Sequence, residues 1–433
     1  MVNLNIYSNN SYYWADKDEP IMLLGGSVED NLFQIPDIKK QLKTIKDAGG
    51  NYVRNTMSCR DEGNVWPFAS INGKYDLDTW NQEYWERFKL FLQETAARDI
   101  IVQMEIWATF DFYLDWWQEN PFNPCNNINF TVHETSLPEV VDSHPIHTDN
   151  NFFWSIPEEN NNQIVLKYQQ KFVDKILSYT LEYDHILYCM DNEISVTPEW
   201  GSYWASYIKK RAAEIDKKVY TTEMWDAHDL NDAQHDNTFD HPELYDFVDI
   251  SQNNHQHGQK HYQNALKQRE RISDNPRPMN NVKIYGGEGK HGDVRHGIEC
   301  FWRSIFAGSA SARFHRPNSG IGISKKAQQM IGSARMLLEK FNIFSSKPAL
   351  ELLQENKDNE CFLLFDSSNN KSVFYFPRGG SVVFKNKDIN NNFSKISWLD
   401  INQGIWSKKN KISVKNRIKI STPDTGQWVA VID

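Results

Sequence analysis

The chain has 433 residues, 24% charged and 39% hydrophobic, which is room for a large core and more than one domain. Its 47 basic residues against 57 acidic ones leave a formal charge of −10, and this argues against a general nucleic-acid binder, which needs a basic footprint. No apolar run approaches the ~20 residues of a membrane span, and five scattered Cys without a CxxC pair indicate neither a zinc site nor a disulfide framework. The N-terminal "MVNLNIYSNN" has no basic stretch followed by an apolar one, so the expected location is cytoplasmic or periplasmic. Aromatic residues are plentiful, with 15 Trp, 18 Tyr and 24 Phe, enough both to fill a core and to offer flat faces to sugars.

Strand and helix patterns alternate from the start. "PIMLLGG" (20–26) predicts a strand stopped by glycines, and "PDIKKQLKTIKDAGG" a helix with Ile38, Leu42 and Ile45 on one face. "NYVRNT" (51–56) and "IIVQMEIW" (100–107) predict the second and third strands, with the helix "YWERFKLFLQETAARD" between them. Residues 108–160, rich in Asn, Pro and Trp, are too long for a plain connector and predict an elaborated loop over a functional face. The helix "NQIVLKYQQKFVDKILSYT" leads to a fourth strand in "HILYCMDNEIS" (185–195), and "EWGSYWASYIKKRAAEID" follows as a helix. The fifth to eighth strands are expected at 217–225, 247–254, 282–289 and 309–317, and "KKAQQMIGSARMLLEKF" closes the series. This succession predicts an α/β fold, a (β/α)8 barrel over residues 1–345. An open doubly wound sheet is the alternative, but no G-x-G-x-x-G follows the first strand. Residues 346–433 change to short alternating runs such as "CFLLFD", "SVFYFP" and "QWVAVID", which predict a small antiparallel β-sandwich.

In such a barrel the residues just after each strand line the catalytic face. Those positions hold Arg54, Glu105, Trp107, Asp191, Asn192, Glu193, Glu223, Trp225, His255, Glu288, Arg313 and His315. Two carboxylates across a sugar ring hydrolyse a glycosidic bond, one protonating the leaving oxygen while the other attacks the anomeric carbon or activates water. Glu193 and Glu288, on the fourth and seventh strands, are the pair expected to face each other. Glu105 and Glu223 are the rival carboxylates, expected against the substrate or an arginine, and Asp191 is expected to be structural. Between 283 and 316 basic residues are in local excess, including Lys290, Arg313 and Arg316 with His291 and His315. An anionic sugar would be held by such a set. Trp66, Trp107, Trp116, Trp117 and Trp225 are candidate sugar platforms, whereas Trp200, Trp204, Trp302, Trp398, Trp406 and Trp428 are expected in cores. No H-E-x-x-H or comparable spacing points to a metal.

An Asn-Glu ending the fourth strand with a Glu ending the seventh resembles clan A of the glycoside hydrolases, the retaining β-glycosidase barrels. The tail "FPRGGSVVF … ISWLDINQGIW … ISTPDTGQWVAVI" resembles the small β-domain labelled collagen-binding that follows such barrels in apiosidase-type bacterial enzymes. The resemblance implies Glu193 as acid/base, Glu288 as nucleophile, Asn192 on the sugar 2-OH and Arg54 beside the nucleophile. The tyrosine of the sixth strand is missing, and "SQNNHQH" offers His255 or His257 in its place. The substrate-binding set is then Asn192, Arg54, Glu105, Trp107, Glu223, Trp225, His255, Lys290, His291, Arg313 and His315. The expected activity is retaining hydrolysis of a plant or algal poly- or oligosaccharide, possible anionic sugars included, with no cofactor and neither nucleic acid nor membrane as partner. The alternatives are a binding barrel without turnover, and an inverting glycosidase or lyase using Glu105 or Glu223.

Overall fold

The structure is a computed structural model that describes residues 2–143, 150–287, 291–357, 360–385, 393–413 and 417–432. Parallel strands and helices alternate as expected. The strands are β1 (Leu23–Gly26), β2 (Tyr52–Thr56), β3 (Ile101–Trp107), β4 (Ile186–Asp191), β5 (Thr221–Thr222), β6 (Val248–Asp249), β7 (Met279–Asn280) and β8 (Ser311–Phe314). The helices that follow them are α1 (Ile38–Asp47), α2 (Gln82–Ala96), α3 (Gln163–Thr180), α4 (Pro198–Ala213), α5 (Asp236–Phe239), α6 (Gly258–Arg271), α7 (Val294–Phe306) and α8 (Lys325–Leu338). The chain divides into two compact units. One comprises Met1–Leu4, Ser27–Lys43 and Tyr52–Gln252, the other Asn5–Gly26, Thr44–Asn51 and Asn253–Asp433.

In the first unit β2, β3, β4 and β5 run parallel in the order β5-β4-β3-β2. The register sets Thr56 beside Glu105, Glu105 beside Cys189 and Trp107 beside Asp191. Continuous apolar sequence makes β3 and β4 buried on both faces, the mark of parallel strands covered by helices. Asn81 and Asn162 cap α2 and α3 by accepting the backbone N–H of Glu83 and Val165. Those helices bury Tyr84, Phe88, Phe91, Phe172 and Ile176 along one stripe. The expected fifth and sixth strands shrink to two residues each, and a 3-10 turn at Ser251–His255 replaces the rest of the sixth.

The second unit pairs β8 with β1 in parallel, and Ile284 makes an isolated bridge to Phe314. Of the expected seventh strand at 282–289, the described residues 282–287 keep only that bridge, with ladder pairing moved upstream to Met279–Asn280. Val282 and Ile284 still bury completely, so the apolar pattern reported burial correctly but not the hydrogen bonds. The same unit holds the C-terminal sheets. Strands β9 (Lys347–Pro348), β11 (Phe362–Asp366), β12 (Lys371–Phe376), β14 (Phe393–Asp400), β15 (Ile405–Trp406) and β18 (Trp428–Ile432) form one antiparallel sheet in the order β9-β11-β12-β18-β14-β15, with β16 (Asn410–Ser413) on β14. Strands β10 (Leu353–Gln354), β13 (Ser381–Phe384) and β17 (Ile418–Ser421) form the other, in the order β10-β13-β17. Leu363, Phe374, Phe376, Phe384, Trp398 and Ile420 share one apolar core. The alternation of β12 turns Tyr375 away from that core, onto Trp302 and Phe306 of α7 at ring distances of 5.7 and 5.6 Å.

Candidate active site

The first unit gathers most of the expected strand-end residues. Arg54 on β2 is 0% exposed. Its Nε and Nη2 donate to the two carboxylate oxygens of Glu105 at 2.5 and 2.7 Å, and its Nη1 donates to Asp30. Asp30 also holds Arg60 at 3.0 Å. Burial works against the charge on Arg54, but Asp30, Glu105 and Glu193 outweigh it, so the guanidinium pKa is raised and the group stays ionised. Glu105 was expected against the substrate or an arginine. With both oxygens on Arg54 and no exposed surface, it takes the second place and braces that arginine.

Glu223 is equally buried, and its Oε1 accepts the backbone N–H of Asp191 at 3.1 Å and of Met224 at 2.8 Å. This ties the ends of β4 and β5 together rather than meeting a substrate. Asp191 accepts the Trp200 indole N–H at 3.0 Å, the structural role expected of it. Burial pushes both carboxyls far up, and for Asp191 the neighbouring Glu223 adds to the effect. Trp107 and Trp225, read as platforms, are each 1% exposed. Trp107 packs among Phe112, Phe152, Phe172, Trp200 and Trp204, and the Trp225 indole donates to Thr238 at 2.8 Å. A buried ring has no face to give a sugar. Trp117 is buried too, which leaves the half-buried Trp66 and the exposed Trp116 of the expected set.

The run "CMDNEIS" has no Gly or Pro, yet the chain turns there. Glu193 makes the turn itself, with φ 59, a left-handed conformation that is uncommon for a residue with a side chain. Its neighbours hold it in place. The Asn192 N–H donates to the Trp107 carbonyl at 3.0 Å and the Ile194 N–H to the Met224 carbonyl at 3.1 Å. Asn192 is buried and Glu193 half-buried. The loop after β3 is bolted to the same spot, because the Thr109 hydroxyl donates to the Asn192 carbonyl at 2.5 Å and sits 3.3 Å from that of Glu193. Thr109 opens a 3-10 turn, Thr109–Phe112, whose Asp111 accepts from Ser58 Oγ at 2.6 Å and the Cys59 N–H at 2.8 Å. Burial raises the Asp111 carboxyl to about 6. Phe110, Tyr113 and Arg60, none of them anticipated from sequence, gather on this turn. Beside it a mainly apolar pocket of about 340 Å³, counted with its open mouth, is lined by Cys59, Trp66, Trp107, Phe112 and Phe122 among others.

In the second unit, Tyr285 lies at ring distances of 4.9 Å from His255, 4.7 Å from His291 and 5.3 Å from His315. Tyr285 was not singled out in the sequence, although it directly precedes the glycine pair. Arg313, expected on the substrate, is fully buried with Nη1 on the Val282 carbonyl at 2.6 Å, so it holds strand ends together. Gly286 has φ 142, and a side chain there would stand 2.6 Å from the Gly297 Cα. Glu288 and Lys290 lie outside the described residues. Among the described residues, no group of three His, Cys, Asp or Glu side chains is placed to hold a metal ion, and no helix is long and apolar enough to cross a membrane.

No protein-family model matches the sequence, and no curated protein does. Solved structures match strongly. A glycoside hydrolase family 5 structure from Bacteroides vulgatus superposes with a TM-score of 0.68 at 13% identity, covering 99% of this chain and 93% of that one. A second glycoside hydrolase gives 0.66 at 13% identity, over 100% and 96% of the two chains. A family 5 mannosidase from Rhizomucor miehei, in complex with mannosyl-fructose, gives 0.52 at 14% identity over 78% and 97%. The fold is thus a (β/α)8 barrel followed by a C-terminal antiparallel β-sandwich, similar to the fold of these glycoside hydrolases.

Proposed function

We propose that the chain is a retaining β-glycoside hydrolase. The observation that carries this reading is Glu193, held in a left-handed turn directly after β4 within electrostatic reach of Arg54, in a chain whose fold matches glycoside hydrolases along its length. Glu193 protonates the leaving oxygen as the glycosidic bond breaks, and Glu288 bonds to the anomeric carbon. Glu193, now a carboxylate, takes a proton from water, and that water displaces Glu288. Asn192 and Arg54 keep the roles the sequence resemblance gives them, at the sugar 2-OH and beside the nucleophile. The burial of Glu105 and Glu223 weighs against either as the acid of an inverting enzyme or lyase.

The finer reading is a plant or algal poly- or oligosaccharide, and the basic excess of the sequence adds a uronic or sulfated sugar. The basic excess between 283 and 316 divides in the structure. Arg295 and Arg303 pair with Glu299, and Arg313 donates Nη1 to the Val282 carbonyl. The residues proposed for an anionic group are those the sequence offers there, Lys290, His291, Arg313 and His315 with His255. The test is turnover of wild type, Glu193→Gln and Glu288→Gln on aryl β-glycosides and acidic oligosaccharides with added azide. Loss in both variants, with a β-glycosyl azide from Glu193→Gln, supports the pair. Full activity in either variant refutes it, and binding without turnover by wild type returns the chain to the binding-barrel reading.

A further inference from the structure

We infer that Asp30 and Arg60 are positioning residues for Glu193: with Arg54 and Glu105 they make one buried set of balanced charge, and that balance decides over which pH range Glu193 keeps the proton it donates. This rests on Glu193 as acid/base and adds two residues that neither the sequence reading nor the catalytic pair includes.

The four side chains form a single line of ion pairs, Glu105–Arg54–Asp30–Arg60. Glu105 takes Nε and Nη2 of Arg54 at 2.5 and 2.7 Å, Asp30 takes Nη1 with one oxygen, and its other oxygen takes Nη2 of Arg60 at 3.0 Å. Asp30 is fixed through its backbone as well, because its carbonyl accepts the N–H of Thr56 at 2.9 Å, two residues beyond Arg54. The Arg60 guanidinium also lies over the Phe110 ring at 4.7 Å. All of these residues belong to the unit that carries Glu193.

Arg54 and Glu105 are fully buried, Asp30 nearly so, and Arg60, at 10% exposed, closes the line at its outer edge. Charges so placed are screened little, and a buried charge is tolerated only where another meets it. Here two cations meet two carboxylates. The complete set casts a weak field on its surroundings, whereas the same set short of one member casts the field of a whole charge.

Glu193 lies within reach of that field at two points. It acts electrostatically on Arg54, inside the line, and it acts on Tyr113 together with Arg60, at the end of the line. The titratable and charged groups gathered there come from four elements. They are Arg54 on β2, Arg60 on the loop after β2, Asp111 and Tyr113 on the turn after β3, and Asp226, whose N–H donates to the Ile194 carbonyl at 3.0 Å and which also acts on Tyr113. Asp111 and Asp226 favour a proton on Glu193, and the two arginines oppose it. Taking Arg60 away therefore strengthens the hold of Glu193 on its proton. Taking the charge from Asp30 weakens it.

The experiment is the pH profile of kcat/KM on a phenyl β-glycoside, whose leaving group needs the proton, so that the basic limb reports the acid. Arg60→Gln should move that limb up by about half a pH unit. Asp30→Asn keeps an acceptor for Arg54 but not the charge, and should move it down by about as much. The double variant leaves the neutral Arg54–Glu105 pair and should return the limb to its wild-type position, as should Arg60→Lys, which restores the charge. Shifts of the same sign in both single variants, no shift in either, or a double variant displaced farther than each single one would overturn the inference, because lost packing carries no sign. Where Asp30→Asn does not fold, Arg60→Gln against Arg60→Lys decides, and equal limbs in those two overturn it. Failure of the premise looks different: Glu193→Gln would then keep both the rate and the basic limb.

Discussion

Replacing Arg54 with Met would remove the only cation that, among the described residues, touches Glu105, and the size of the effect follows from burial. Both side chains are 0% exposed, and Glu105 gives both oxygens to Arg54. An ion pair at the surface would be worth under ~1 kcal/mol. Here the variant strands a carboxylate in an apolar core, which costs about 3–5 kcal/mol. Asp30 suffers less, because Arg60 stays on it at 3.0 Å. For a chain of 433 residues the unfolding entropy is about 0.9 kcal/mol/K, so the loss is a fall of roughly 4 °C in Tm. The discriminating variant is the double one. Arg54→Met with Glu105→Leu exchanges the pair for apolar groups, and should recover to within about 1 kcal/mol of wild type, since such exchanges are often neutral. The assay is calorimetry and urea unfolding of the four proteins of the cycle, followed by tryptophan fluorescence. Additive single effects, with the double variant worst of all, would refute the view that Glu105 exists to brace Arg54. On the proposed function, activity should be lost in Arg54→Met and should not return in the double variant, because the second substitution restores packing and not the guanidinium.

Three further outcomes are expected. The Glu223 carboxyl is pushed up to about 8 by burial, so the folded state keeps a proton the unfolded state releases. Stability from this group is full below about pH 4.5 and falls as pH rises toward 8; Tm against pH should be flatter in Glu223→Gln, and an unchanged slope would contradict the shift. Glu193→Gly should relieve the left-handed backbone and stabilise the fold by about 0.5–1 kcal/mol while abolishing turnover of sugar glycosides. A lower Tm in that variant would show that the conformation carries no strain. Tyr375→Ala empties the site against Trp302 and Phe306 and should cost about 3–5 kcal/mol, measured as a shift in the urea midpoint; a neutral result would mean that α7 does not depend on the sandwich.

The parts of the fold legible in the sequence are those where one physical rule acts alone. β3 and β4 are buried on both faces, and their unbroken apolar runs state that directly. The capped helices α2 and α3 show their apolar stripe as clearly. β5 and β6 do not, because strands of two residues leave no period to read. The site divides in the same way. Position after a strand picked out Arg54, Asn192 and Glu193 as candidates, but position says nothing of exposure. Arg54, Asn192, Glu105, Glu223 and Arg313 all occupy such places and are buried, with Glu105 on Arg54 and with Glu223 and Arg313 on backbone groups.

Phe110 and Tyr113 escaped notice for a different reason. Nothing in "ATFDFY" distinguishes two aromatic residues in a loop from those that fill the core, as Phe112 beside them does. Their place is decided by a hydroxyl on Thr109 bonding a carbonyl 83 residues farther along the chain. Local propensity has no term for such a bond, yet it fixes the loop to the backbone beside Glu193. The consequence is testable in Thr109→Val, which keeps the shape and loses the donor. If the tether helps to place Glu193, this variant should lose kcat/KM on aryl β-glycosides about 10-fold. If Thr109 merely fills space, turnover should match wild type.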